Sequence, residues 1–209
     1  TKAFYEKLVA WAKTYEVGVV SDLAYGALGY QGYENPSFLS TPGAKDVGIE
    51  FYTFSKTFNM AGWRLAFAVG NDQMIEALNL IQDHLFVGIF PALQEAGIAA
   101  LLDPKSEEAV AQLNATYDSR RDAFVQAAAK IGWQAFPSRG SFYAWMPVPE
   151  GYTSESFADL LLEKVHVAVA PGKGFGPAGD AYVRIGLLVE PERLVEAVNR
   201  IANLHLFNN

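Results

Sequence analysis

The sequence predicts an α/β fold that gives way to a smaller α+β unit, and three observations carry that reading. Short apolar runs such as Val17-Gly18-Val19-Val20 and Leu65-Ala66-Phe67-Ala68-Val69 alternate with longer stretches whose apolar residues recur at helical spacing. Beyond Gly132 the order changes to short strand-like runs set between helices. The 209 residues, 51% apolar and 19% charged, are enough to bury a core in one or two domains.

Taken in order, Lys2 to Thr14 reads as a helix that buries Phe4, Leu8 and Trp11, leading into a buried parallel strand at Val17 to Ser21. Residues 27 to 46, rich in glycine, proline and serine, read as a long excursion. Ile49 to Phe54 and Leu65 to Gly70 are the next strands. Asn71-Asp72 then caps a helix that turns Ile75, Leu78, Ile81 and Leu85 toward the core. Near Pro91 a further helix packs Leu93, Ala96, Ala100 and Leu101. Asp103-Pro104 supplies an N-cap and a first-turn proline for a long helix reaching about Ile131. Within it, Tyr117-Asp118-Ser119-Arg120-Arg121-Asp122 reads as alternating charge on a solvated face rather than an anion site. Past Gly132, strands are expected at Trp133 to Phe136, Ser141 to Val148, His166 to Ala170 and Tyr182 to Leu187, with helices at Ser154 to Lys164 and Pro191 to Leu204. A domain boundary falls in the long helix, giving domains 1–130 and 131–209.

Reactive groups concentrate in Ser55-Lys56-Thr57-Phe58-Asn59-Met60-Ala61-Gly62-Trp63-Arg64, directly after the strand at Ile49 to Phe54. A lysine at a strand end is ordinarily a solvated charge. Here hydroxyls flank it, and an arginine returns eight residues later across a glycine. Desolvation favours a neutral amine, the form that attacks a carbonyl, while hydroxyls and an arginine fork hold a phosphate. An amine nucleophile beside a phosphate cradle suits pyridoxal phosphate above other cofactors. Upstream, Val17 to Tyr25 is an apolar run ending in an aspartate with a tyrosine three residues on. Asp22 alone would be a turn residue or an N-cap. Ligands of open α/β sheets gather at the carboxyl ends of strands, so two strands delivering Asp22 and Lys56 to that edge imply one site.

On these residues the chain resembles the later part of a fold-type I, class I/II aminotransferase. The resemblance rests on Ser21-Asp22-Leu23-Ala24-Tyr25, Ser55 to Arg64, Gly140-Ser141-Phe142-Tyr143-Ala144-Trp145 and Tyr182-Val183-Arg184-Ile185-Gly186, and runs over essentially the whole chain. It implies the later part of that fold's large domain, a mostly parallel sheet with helices on both faces, followed by a small C-terminal α+β domain. It implies pyridoxal 5′-phosphate as cofactor and Lys56 as the catalytic residue that carries it as a Schiff base and moves the proton. Asp22 would keep the pyridine nitrogen protonated, Tyr25 would donate to the 3′-oxygen, and Thr53, Ser55 and Arg64 would bind the phosphate. Arg184 would clamp the substrate α-carboxylate, with Phe142 and Tyr143 beside it. Pro171-Gly172-Lys173-Gly174-Phe175-Gly176 lacks the spacing of a P-loop and would shape the substrate rim.

The resemblance also implies an earlier half that supplies a glycine-rich phosphate turn, a ring-stacking aromatic and an Asn-Pro-Thr-Gly type segment, none of which occurs here. The chain is therefore expected to be a fragment of a homodimeric enzyme, with its amino-terminal part removed or never present, and a poor catalyst alone. A net charge of −7 argues against a nucleic-acid surface, since phosphate backbones call for clustered lysine and arginine. No run approaches a membrane span and no basic-then-apolar leader is visible, so a cytoplasmic globular protein is expected. With no cysteine and only His84, His166 and His205, far apart, neither a disulfide nor a metal site is expected.

Three functions fit. The leading one is a transaminase that moves an amino group between an L-amino acid and a 2-oxo acid by a ping-pong cycle. The segments Tyr182 to Leu188 and Ser154 to Leu161 resemble bacterial transaminases of methionine salvage, which aminate 4-methylthio-2-oxobutanoate, often from glutamine. The absence of an evident second arginine for a distal carboxylate agrees with a neutral or thioether side chain. The others are a pyridoxal-phosphate-dependent C–S lyase, and an aminotransferase-like sensor domain of a transcription regulator.

Overall fold

The computed structural model describes residues 1–136 and 138–207. The chain divides into two compact units, Thr1–Leu113 and Asn114–Asn209.

The first unit opens with α1 (Lys2–Tyr15), capped by Thr1, whose hydroxyl accepts from the Phe4 N–H at 3.3 Å. The helix is apolar over two adjacent faces. Only the face bearing Tyr5, Val9 and Ala12 is covered among the described residues, while Phe4 and Trp11, expected inside, are 58% and 48% exposed. Next, β1 (Val19–Asp22) pairs in parallel with β2 (Gly48–Thr53), so Ser21 lies opposite Glu50 and Asp22 opposite Phe51. Both strands therefore end at the same edge of the sheet. The strand β3 (Ala66–Gly70) runs antiparallel on the other side of β2, giving the order β1-β2-β3. The strand β1 is parallel as expected, but among the described residues it pairs on one side only, with alternating burial, and Val20 is exposed.

Between β1 and β2 the glycine-rich excursion is packed rather than solvated: Leu28, Tyr30 and Phe38 are buried. It closes with a 3₁₀ turn at Phe38–Ser40 and the short α2 (Ala44–Val47). After β2 come the single-turn α3 (Phe54–Thr57) and a 3₁₀ turn at Ala61–Trp63. The helix α4 (Asp72–Leu85) starts at the expected cap, with Asn71 Oδ1 accepting from the Met74 N–H at 3.1 Å. Its stripe is only partly core. Ile75 and Leu78 are half-buried, but Ile81 and Leu85 lie exposed, because a three-stranded sheet leaves the last turns of the helix uncovered among the described residues. The helix α5 (Pro91–Leu102) comes down on Phe54 and Leu65 through Gly97, where a Cβ would stand 2.7 Å from Leu65 Cδ2. A larger residue there would require the Leu65 side chain and the Phe54 ring to shift. No helix among the described residues is long and apolar enough to cross a membrane.

The division between the units falls inside α6 (Ser106–Lys130). Its Arg121 does not sit on a solvated face: the side chain is buried and ion-paired to Asp118 and to Asp122, the latter at 2.5 Å. In the second unit β4 (Tyr143–Pro147) pairs antiparallel with β6 (Tyr182–Gly186), and β6 with the two-residue β5 (Ala170–Pro171). A capping box of Thr153 and Ser156 starts α7 (Ser154–Val165), and Pro191 opens α8 (Pro191–Ala202) as its first residue. Leu194, Val198 and Ile201, spaced for one face of α8, join Phe157 and Leu161 of α7 over Ala144, Met146, Val183 and Ile185 of the sheet.

Two expected strands are shorter or missing. His166 is the left-handed cap of α7 (φ 56°), so of the expected 166–170 strand only Ala170 joins the sheet, together with the following Pro171. Trp133 to Phe136 forms no strand. The Trp133 N–H instead closes α6 on the Ala128 carbonyl at 3.0 Å, and the indole turns inward to donate to the Pro147 carbonyl at 2.7 Å.

Candidate active site

At the shared carboxyl edge of β1 and β2, Asp22 is the last residue of β1 and its Oδ1 accepts from the Ala24 N–H at 3.2 Å, an Asx turn that bends the chain toward Tyr25. The Leu23 N–H donates to the Phe51 carbonyl at 3.0 Å and extends the ladder one bond past the strand. On the neighbouring strand, Thr53 caps α3, its Oγ1 accepting from the Ser55 N–H at 3.1 Å and lying 3.0 Å from Ser55 Oγ. This turn presents Lys56, whose Nζ stands 6.0 Å from the centroid of the Tyr25 ring. Two strand ends thus bring an amine, a phenol and a carboxylate to one edge.

Arg64 follows in the left-handed region (φ 53°), which folds its side chain back so that Nη1 donates to the Ala61 carbonyl at 3.1 Å. Among the described residues that is its one hydrogen bond, and the guanidinium is exposed. Beside these groups lies an apolar pocket of about 320 Å³, lined by Leu23, Gly26 and Ala27 on one side and Tyr52, Thr53, Phe54 and Thr57 on the other. Asp22, Lys56 and Arg64 do not line it, so the pocket lies next to the charged groups rather than among them.

The remaining predicted site residues belong to the second unit. Arg184 on β6 is opposite Trp145 of β4, on the half-buried face of the small sheet, whose other face is the core. Its Cζ lies 4.1 Å from the Tyr143 ring centroid and 4.3 Å from that of Phe175, so the guanidinium is held between two rings. It makes no hydrogen bond or ion pair among the described residues. Phe142, by contrast, is buried against Tyr117, with ring centroids 5.2 Å apart, and takes no part in this sandwich. Phe175, which the Pro171 to Gly176 stretch carried as a rim segment, supplies the second ring.

Sequence reasoning missed Glu50. This carboxylate sits fully buried in the middle of β2 and accepts from Ser21 Oγ at 2.9 Å, Ser37 Oγ at 2.6 Å, the Phe38 N–H at 2.7 Å and the Tyr52 hydroxyl. Burial pushes the Tyr52 phenol above its ordinary pKa, and the bond it gives Glu50 adds to the rise. A lone charge inside an apolar run was the available signal. Asn35 is a second such anchor: its Nδ2 lies 3.0 to 3.3 Å from the carbonyls of Tyr25, Gly26 and Leu28.

A family model described as aminotransferase class I and II matches residues 1–201. The chain is 57% identical over 207 residues to the L-glutamine--4-(methylsulfanyl)-2-oxobutanoate aminotransferase of Bacillus subtilis (strain 168), an alignment covering 99% of this chain and 52% of that protein. It is 46% identical over 198 residues to an LL-diaminopimelate aminotransferase of Moorella thermoacetica, covering 95% and 50%. The apo structure of BacF from Bacillus subtilis matches with a TM-score of 0.94 at 44% identity, covering 100% of this chain and 53% of that one. The chain thus spans about half the length of the curated relatives it matches. Matched over nearly its whole length by the family model and by solved structures of the same fold, the chain belongs to the class I and II aminotransferase family.

Proposed function

We propose that, within a polypeptide of the relatives' full length, these residues serve a pyridoxal-phosphate-dependent aminotransferase that moves an amino group between an L-amino acid and a 2-oxo acid by a ping-pong cycle. The observation that carries the reading is the meeting of Lys56, Tyr25 and Asp22 at the end of two parallel strands. Members of the family use pyridoxal phosphate. The donor set fits that group: an amine for an aldehyde, a carboxylate for a pyridinium, and hydroxyls with a guanidinium for a phosphate. When bound, the cofactor supplies an aldehyde and a ring that takes up the electrons left by a departing α-proton.

Each residue then has one task. The Lys56 amine would hold the cofactor through its aldehyde and would move the proton at the substrate's α-carbon. Asp22 holds a proton on the ring nitrogen, and Tyr25 donates to the neighbouring ring oxygen. Thr53, Ser55 and Arg64 bind the phosphate. Arg184, with the Tyr143 and Phe175 rings against its guanidinium, would hold the substrate's α-carboxylate. Phe142, beneath that strand end, supports the same rim.

The names of the relatives, aminotransferases throughout, favour amino transfer over the C–S lyase and sensor readings. The 57% identical relative supports 4-methylthio-2-oxobutanoate as acceptor and glutamine as donor, which an amino-donor screen would test directly. A homodimer in the cytoplasm is part of the same proposal. In a full-length enzyme Lys56→Ala should lose the cofactor's visible band, its borohydride-reducible link to the protein and all transamination. A reducible link surviving in that variant would sink the assignment.

A further inference from the structure

We propose that Glu50 is a positioning residue for this site: its buried carboxylate holds the segment that follows β1, and Tyr25 with it, against the strand that delivers Lys56. This rests on the roles given above to Lys56 and Tyr25.

A carboxylate inside a protein is unfavourable unless donors satisfy it. Glu50 is fully buried, and among the described residues no cation is paired with it; four neutral donors face it instead. They come from three places: Ser21 from β1, Ser37 and the Phe38 N–H from the excursion, and Tyr52 from Glu50's own strand. Ser21 is the neighbour of Asp22, so the stretch 22–36, which carries Tyr25, is tied before it by the Ser21 bond and after it by Ser37 and Phe38. Between these ties Asn35 gathers the carbonyls of Tyr25, Gly26 and Leu28, which stiffens the turn carrying Tyr25. Ser37 and Tyr52 also line the apolar pocket, facing Leu23, Gly26 and Ala27. The excursion cannot slide along the sheet without leaving a donor or the carboxylate unpaired, so the tie holds one arrangement of Tyr25 over Lys56.

Glutamine at position 50 keeps an acceptor for the obligate Phe38 N–H, and its amide can donate to hydroxyls that turn to accept. Alanine removes every bond. In the full-length enzyme loaded with pyridoxal phosphate, Glu50→Ala should lower kcat by about tenfold or more while KM for the amino donor stays within about threefold. It should also raise the pH midpoint of the bound cofactor's visible band by about half a unit or more, because Tyr25 then donates less well to the ring oxygen. Glu50→Gln should recover most of both losses. In a Tyr25→Phe background, Glu50→Ala should move the midpoint little further, since both act through one bond.

A Glu50→Ala enzyme with the parent's kcat and midpoint and only a lower melting temperature overturns the proposal and leaves Glu50 a fold residue. Should that variant fail to fold, Ser37→Ala and Tyr52→Phe, each removing one donor, carry the same comparison: a joint fall in kcat and rise in midpoint supports the proposal, and parent values overturn it. The Lys56→Ala control separates the two levels, because a reducible link surviving there refutes the underlying reading whatever Glu50 does.

Discussion

Replacing Arg184 by lysine tests the carboxylate clamp most directly. The Arg184 Cζ stands 4.1 Å from the Tyr143 ring centroid and 4.3 Å from that of Phe175, and the guanidinium makes no hydrogen bond or ion pair among the described residues. A lysine keeps the charge but not the fork, so one of two parallel bonds to a carboxylate is lost, about 1.5–3 kcal/mol for a charge-assisted bond. The stacking contribution is smaller. Phe175 is 54% exposed, so its contact is worth only about 0.5–1 kcal/mol, and an ammonium retains part of that. The lost bond decides the outcome. In a full-length enzyme kcat/KM for the amino acid should therefore fall by about 10- to 150-fold, at roughly 1.36 kcal/mol per tenfold. Steady-state kinetics on the amino acid and on the matching amine without an α-carboxylate provide the assay, and the preference for the amino acid should shrink by the same factor. A variant within threefold of its parent, or one equally impaired on both substrates, would falsify the clamp.

Three further outcomes are expected. Asp22→Ala should lower kcat by about a hundredfold or more in the full-length enzyme, yet change cofactor-free stability by under about 1 kcal/mol, because the side chain is exposed and holds one local amide; a near-parent rate places the ring nitrogen elsewhere. Trp133→Phe should cost the 209-residue chain about 2–4 kcal/mol in urea denaturation, since it shrinks a fully buried side chain and orphans the Pro147 carbonyl, and a loss below about 1 kcal/mol would contradict that packing. The raised Tyr52 pKa predicts a stability contribution complete below the ordinary tyrosine value of 10.0 and lost as pH rises through the higher folded value; melting curves across that alkaline range should lose this step in Tyr52→Phe, and an unchanged alkaline limb would exclude Tyr52 as its source.

The placement of the candidate residues at strand ends was legible because its signals are local. A lysine between hydroxyls after an apolar run, an arginine across a glycine, and an aspartate with a tyrosine three residues on mark strand ends by short-range pattern alone, and the parallel pairing of β1 with β2 then puts both ends on one edge. The cap at Asn71 belongs to the same class. Glu50 was not legible in this way, since its four donors lie on three segments and only the fold brings them together. Nor was the Phe175 ring over Arg184, nor the difference between Tyr143, which stacks on the guanidinium, and its neighbour Phe142, which is buried against Tyr117.

The sequence by itself marked the candidate site residues, the starts of helices such as α4 and α8, and which faces are apolar, because capping, periodicity and residue type act within a few positions along the chain. Tertiary structure decided what covers those faces. The stripes of α1 and α4 are both apolar, but Phe4, Trp11, Ile81 and Leu85 lie exposed, because burial depends on a partner surface that periodicity cannot name. It decided, too, that Trp133 turns inward to Pro147 instead of extending a strand, and that a charge at position 50 is held by hydroxyls from distant segments. Those outcomes are set by the satisfaction of buried polar groups, a condition on the whole fold rather than on any stretch of it.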